Sequence, residues 1–187
     1  VDDHDLDKQF GRAFNEVQKI ADKHQGEEKE FWRRVVALTF EPFYNGQKIN
    51  ELFEELWELF ASGEPWKVAD QAIDTLDTLL ARGYRLAVLS NNDSRLRPVL
   101  KDLKVDHLFE HLFISSELGF EKPQIEIFRA VENTLQVAPE KIMHLGDSLS
   151  RDFIGAQQAG WNAVLFGSKA KEINHIQRFP ELLSLLP

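Results

Sequence analysis

The alternation of short apolar runs with helical periodicity beyond residue 66 constrains this chain more than any other feature. Residues 84–89, 112–115, 142–145 and 163–166 are compact apolar runs of strand length. Between them, apolar residues recur at three- and four-residue steps, as in Ile73, Leu76, Leu79 and Leu80, or Ile127, Ala130, Val131 and Leu135. Such steps line one face of a helix, whereas a short unbroken apolar run fits a strand buried on both faces. Gly83 and Gly160 sit where helices should stop, and Pro98 and Pro123 where helices should start. A helix is also expected from about residue 150 to 159, with a short one closing the chain through Leu182 and Leu185. Strands that alternate with helices require parallel pairing and right-handed crossovers. The expected fold class is therefore α/β, with a doubly wound parallel sheet.

Residues 1–64 read differently, as helices only. Leu6, Phe10, Ala13, Phe14, Val17, Ile20 and Ala21 form one apolar face. Phe31, Trp32, Val35, Val36 and Leu38 form a second, and Ile49, Leu52, Phe53, Leu56, Trp57, Leu59 and Phe60 a third. Aromatic stripes of this kind read as core. Pro42 and Asn45-Gly46 break the chain between the second and third helices, and Ser62-Gly63-Glu64-Pro65 reads as a linker. The expected division is a helical unit over residues 1–65 and an α/β unit over 66–187.

Charge follows the same division. Residues 1–80 hold 18 Asp and Glu against 9 Lys and Arg, so the formal net charge of −9 resides there. An acidic surface repels a phosphate backbone, which argues against nucleic acid as a partner. No apolar run approaches the roughly 18 residues of a membrane span, and no signal-like segment opens the chain, so no membrane partner is expected. The absence of cysteine excludes disulfides and thiolate chemistry and fits a cytoplasmic protein.

In open α/β sheets, ligands bind beyond the carboxyl ends of the strands. Three polar clusters lie there: Ser90-Asn91-Asn92, Glu121-Lys122-Pro123, and Gly146-Asp147-Ser148 with Asp152 five residues beyond Asp147. Each has an ordinary structural explanation: a cap or turn serine, a solvated lysine, a Gly-Asp turn. Their order, however, places a hydroxyl, a point cation and paired carboxylates on one rim. Ser90, Asn91 and Lys122 could hold a phosphate and neutralise charge that spreads in a phosphoryl transition state. Carboxylates could hold Mg²⁺, with Asp147 the better ligand, and Asp152 serving equally as metal ligand or helix cap. His144 reads as packed within its strand, while His4, His24, His107, His111 and His175 form no metal-like spacing.

Taken together, these clusters resemble the second, third and fourth motifs of the haloacid dehalogenase-like hydrolase superfamily. The match comprises Ser90, Lys122 and Gly146-Asp147-Ser148-Leu149-Ser150-Arg151-Asp152. Leu89-Ser90-Asn91-Asn92-Asp93, Ser115-Ser116-Glu117-Leu118-Gly119 and Gly155-Ala156-Gln157-Gln158-Ala159-Gly160-Trp161 resemble it too. Gln124 departs from the Asp often found after Lys-Pro. The resemblance implies a Rossmann-like core, a helical cap over residues 1–65, Mg²⁺ as cofactor and a small phosphorylated substrate. It also implies an aspartyl-phosphate intermediate formed by a first-motif Asp. A metal-free 2-haloacid dehalogenase is the second enzymatic reading, and Gly146-Asp147 with Asp152 argues against it. A phosphomutase would use the same constellation.

The first motif is a strand ending in Asp-x-Asp or Asp-x-x-Gly-Thr, and nothing before residue 66 matches it. Val1-Asp2-Asp3-His4-Asp5 has the acids but no preceding strand, and Asp93 belongs to the second motif's loop. In the family that strand lies between those ending at Ser90 and Asp147, so its absence would leave backbone groups unpaired. With Val1 in place of an initiator Met, the expectation is a sequence lacking about 20–30 N-terminal residues, or a strand supplied by a separate piece. The alternative is a catalytically silent binding or regulatory relative.

Overall fold

The computed structural model describes residues 2–20, 27–168 and 173–186. Ala21 and His24 lie outside the described residues. Three helices come first: α1 (Asp3–Val17), α2 (Glu28–Phe40) and α3 (Gly46–Leu59). The opening acids have a local use, because the Asp2 carboxylate accepts the His4 N–H at 2.8 Å and caps α1. Asp3 and Asp5 fall in the first turn, where negative charge suits the helix dipole. Asn45 caps α3 in the same way by accepting from Lys48 N. The helices pack through Ala13, Val17, Phe31 and Val35, all essentially buried, and Glu54 ties α3 to Lys29 and Arg33 of α2 at 2.7 and 2.8 Å.

The α/β part follows as α4 (Ala72–Ala81), β1 (Ala87–Ser90), α5 (Leu96–Asp102), β2 (His111–Ile114), α6 (Ser115–Leu118), α7 (Ile125–Leu135), β3 (Met143–Gly146), α8 (Gly155–Gln158), β4 (Asn162–Phe166) and β5 (His175–Ile176). Every pairing is parallel, as alternation required. β4 shows the double winding directly. Ala163 and Leu165 pack on one face with Phe128 and Val131 of α7, while Val164 packs on the other with Leu79 of α4.

Several boundaries differ from expectation. Residues 84–86 precede β1 rather than belonging to it, although Leu86 O still accepts from Glu110 N at 2.8 Å. The helix expected from about 150 opens as a π-helical stretch, Leu149–Ile154, before α8. The closing helix is a 3₁₀ segment, Phe179–Ser184, and β5 is an unexpected two-residue strand.

The strands form two sheets, β1–β2 and β3–β4–β5. β1 and β3 each have a strand partner on one edge only, and no strand precedes β1 among the described residues. Their C-terminal ends carry Ser90-Asn91-Asn92 and Gly146-Asp147-Ser148, while Lys122 lies in the loop between α6 and α7.

Candidate active site

Lys122 is the centre of the arrangement. It is buried, 8% exposed, and its Nζ donates to Leu89 O of β1 and pairs with Asp152 Oδ1, both at 2.7 Å. Asp152 Oδ1 also meets His144 Nε2 of β3 at 3.1 Å, and its Oδ2 accepts Ser148 N at 2.9 Å. Lys122 therefore links the C-terminal end of β1 to β3, in place of a shared ladder. An ammonium has three donors, so two of these are engaged and one is left for a ligand.

Burial alone would raise the Asp152 pKa. The bonds from His144, Lys122 and Ser148 outweigh it and hold the carboxyl well below the usual range. His144 moves down from its ordinary 6.5 because burial disfavours the imidazolium, an effect only partly offset by Asp152. Its ring also sits edge-on to Phe128 and Trp161, so it is packed, as expected, and hydrogen-bonded to the site as well.

Two glycines make this packing possible. A Cβ on Gly146 would lie 2.3 Å from Asp152 Cγ, so only glycine lets that carboxylate close against β3. A Cβ on Gly155 would meet Phe128 Cζ at 3.0 Å and Pro123 Cβ at 3.1 Å, which brings α8 against the Lys122 loop.

The two carboxylates of the fourth cluster are thus differently placed. Asp152, read from sequence as metal ligand or cap, has both oxygens taken by protein donors and acts as the counter-ion of Lys122. Asp147 is exposed and makes no hydrogen bond or ion pair with the described residues. It is the group that could hold a divalent cation. No cluster of three or more acidic or imidazole side chains occurs among the described residues. A single carboxylate still fits Mg²⁺, which keeps several waters and takes the remainder of its shell from substrate oxygens.

Ser90, half-buried at the end of β1, has an Oγ with no hydrogen-bond partner among the described residues. Asn91, expected to touch substrate, instead clamps the Lys122 main chain. Its Nδ2 donates to Lys122 O and its Oδ1 accepts Lys122 N, each at 2.8 Å. It positions the lysine.

Asp93 is only 4% exposed. It takes both Nε and Nη2 of Arg95, at 2.9 and 2.7 Å, and accepts Trp32 Nε1 from α2 at 3.1 Å. Arg95 in turn lies 3.6 Å from the centroid of Trp57 in α3. This latch joins the helices to the loop after β1. The sequence signalled it only faintly, since Trp32 reads as one more member of an apolar stripe. Arg151, which stands between the two aspartates in the sequence, lines a cavity of about 220 Å³ together with Phe14, Trp32, Asn91, Asn92, Asp93 and Ser115. A larger cavity of about 500 Å³ adjoins it and shares Trp32, Asn91 and Asn92. Lys122 and Asp147 line neither cavity; Asn91 and Asn92, directly after Ser90, connect both to the rim.

A family model described as haloacid dehalogenase-like hydrolase matches residues 2–160. The chain belongs to that family. An uncharacterised hydrolase of Schizosaccharomyces pombe is 32% identical over 184 residues, covering 94% of this chain and 78% of the relative. A glyceraldehyde 3-phosphate phosphatase of Methanothermobacter thermautotrophicus is 35% identical over 107 residues, 56% of this chain and 47% of the relative. Seven of the curated relatives, including that phosphatase, are spanned over only 47% to 66% of their length. In fold, the chain is similar to the magnesium-bound haloacid dehalogenase-like hydrolase YfnB of Bacillus subtilis. The TM-score is 0.77 at 24% identity, over 100% of this chain and 83% of that one. Among the described residues, no helix is long and apolar enough to cross a membrane.

Proposed function

We propose that this hydrolase is a Mg²⁺-dependent phosphatase acting on a small phosphorylated metabolite, with residues 1–65 as cap and 66–187 as core, working in the cytoplasm. The observation that carries the reading is Lys122. It is a buried cation held by Leu89 O and Asp152, with one donor remaining, at the rim that also presents a free Ser90 hydroxyl and a free Asp147 carboxylate.

Each group takes one task. Ser90 Oγ donates to a phosphate oxygen, and Lys122 neutralises charge that grows on the equatorial oxygens. Asp147 would hold Mg²⁺, which when bound supplies Lewis-acid charge neutralisation at the phosphoryl group. The attacking carboxylate comes from outside these 187 residues, from the first-motif strand that would fit between β1 and β3. Its oxygen bonds to phosphorus as the ester P–O bond breaks, and the alcohol departs with a proton from a nearby acid. Water then cleaves the acyl phosphate, releasing inorganic phosphate and restoring the carboxylate.

The reading is tested by measuring phosphate release with Mg²⁺ after a first-motif segment is supplied. Release should require the metal and fall at least a hundredfold in Asp147→Ala. Undiminished release by that variant would sink the metal assignment. Chloride release from a 2-haloacid without metal would favour the dehalogenase reading instead. A protein that gains no activity with the segment present would be a silent binding relative.

A further inference from the structure

We propose that the group esterified to the substrate's phosphate is a neutral aromatic or bulky apolar body, seated in the larger cavity beside the site. This inference rests on the phosphatase reading above and names its substrate class. The cavity, about 500 Å³, has the size of a small-molecule pocket. Trp32, Val36 and Phe40 project into it from successive turns of α2, opposite Phe53 and Trp57 of α3 and Val99 of α5. These are faces that the sequence assigns to core, yet here they line open space.

The charges around the cavity decide what it can accept. Arg95 is the cation in its wall, and its guanidinium is already engaged by Asp93 and stacked on Trp57. The acid in the wall, Asp7, is solvent-exposed. Among the described residues, no further cation is therefore available there for a second phosphate or a carboxylate. Hydroxyl-rich bodies fare little better. Thr39 Oγ1 already donates to Val35 O at 2.7 Å, and both ends of the Asn91 amide are held by Lys122. Asn92, whose Oδ1 accepts Asp93 N, leaves an amide N–H for a polyol to meet. The mainly apolar wall still returns fewer hydrogen bonds than the polyol loses with its water, a cost an apolar body does not carry.

Continuity with the chemistry comes from Asn91 and Asn92. They line this cavity and the smaller one lined by Asp93, Ser115 and Arg151, and they directly follow Ser90. A phosphomonoester can place its anionic end on the rim at Ser90 and Lys122 and its body among the aromatics. The rim then fixes the reacting group, and the apolar cavity selects among substrates.

Calorimetric titration of the full chain with 2-naphthyl phosphate, glycerol 3-phosphate and 2-naphthol tests the inference. Naphthyl phosphate should bind at least tenfold more tightly than either of the others. Val36→Trp, which fills the cavity, should bring the ratio between the two phosphates close to one. Equal binding of the two phosphates by the unaltered chain would overturn the inference and leave the phosphatase reading intact. So would a preference that persists in Val36→Trp. Naphthol binding as tightly as naphthyl phosphate, with glycerol phosphate not bound, would remove the phosphate site itself and the inference with it.

Discussion

β4 and β1 are held in place by different forces. β4 is sealed on both faces, with Ala163, Val164 and Leu165 all at 5% exposure or less. β1 is not: Ala87 is exposed, and Val88 through Ser90 are only half-buried. Apolar packing by α4 and α7 fixes the β3–β4–β5 sheet. β2 is also buried at its end, through Phe113 and Ile114, whereas the working end of β1 is pinned by polar links. These are Lys122 Nζ to Leu89 O, the Asn91 clamp on Lys122, and the Ser115 and Ser116 bonds to Asn92 O. The geometry of the candidate site therefore depends on buried electrostatics on one side and on close packing on the other.

The sharpest way to break this contrast is Asp152→Ala, which leaves Lys122 as an uncompensated buried cation. A loss of about 3–5 kcal/mol is expected in urea denaturation. Phe128→Ala, in the packed half, should cost a similar ~3–5 kcal/mol. The Asp152→Ala difference should shrink in acid.

The acid dependence follows from the two shifted groups. The folded-state pKa of Asp152 is depressed, so its contribution is complete above the unfolded carboxyl value and is lost as pH falls through the folded one. His144 is also depressed. Its unfolded imidazole takes up a proton below about 6.5 while the folded one resists, so stability begins to decline as pH drops below that point. A series of Tm values from pH 8 down to about 2 should show the first stage and the onset of the second, and His144→Gln should abolish the first.

Smaller effects come next. Asn91→Ala should cost about 1–3 kcal/mol by orphaning the Lys122 main-chain groups it holds. Asp147→Asn should change stability by no more than ~0.5 kcal/mol, since the exposed carboxylate has no partner among the described residues. A large stability effect there would show that Asp147 is structural.

The same contrast governs what the sequence revealed. Packed elements were legible because periodicity records burial: the runs at 112–115, 142–145 and 163–166 all contain strands. The rim was legible as a set of residue types, since hydroxyl, cation and carboxylates follow strand ends in a telling order. Pairing among them was not. Nothing in the spacing shows that Lys122 takes Asp152 and leaves Asp147, because both acids lie within one turn-and-a-half of the same loop. The choice follows from Gly146, whose missing side chain admits the Asp152 carboxylate. β5 escaped notice because two residues carry no period, and the π-helical turn because its hydrogen-bond register has no composition of its own. Trp32 hid its polar end inside an apolar stripe.

The Lys122–Asp152 contact also limits how this chain can change over time. Altering either residue alone strands a charge in the interior and loosens the join between β1 and β3 in the same event. A drifting population would meet that double penalty at the first step in either direction. These two positions are thus expected to be inherited as a unit, while Asp147, without a partner among the described residues, is free of that constraint.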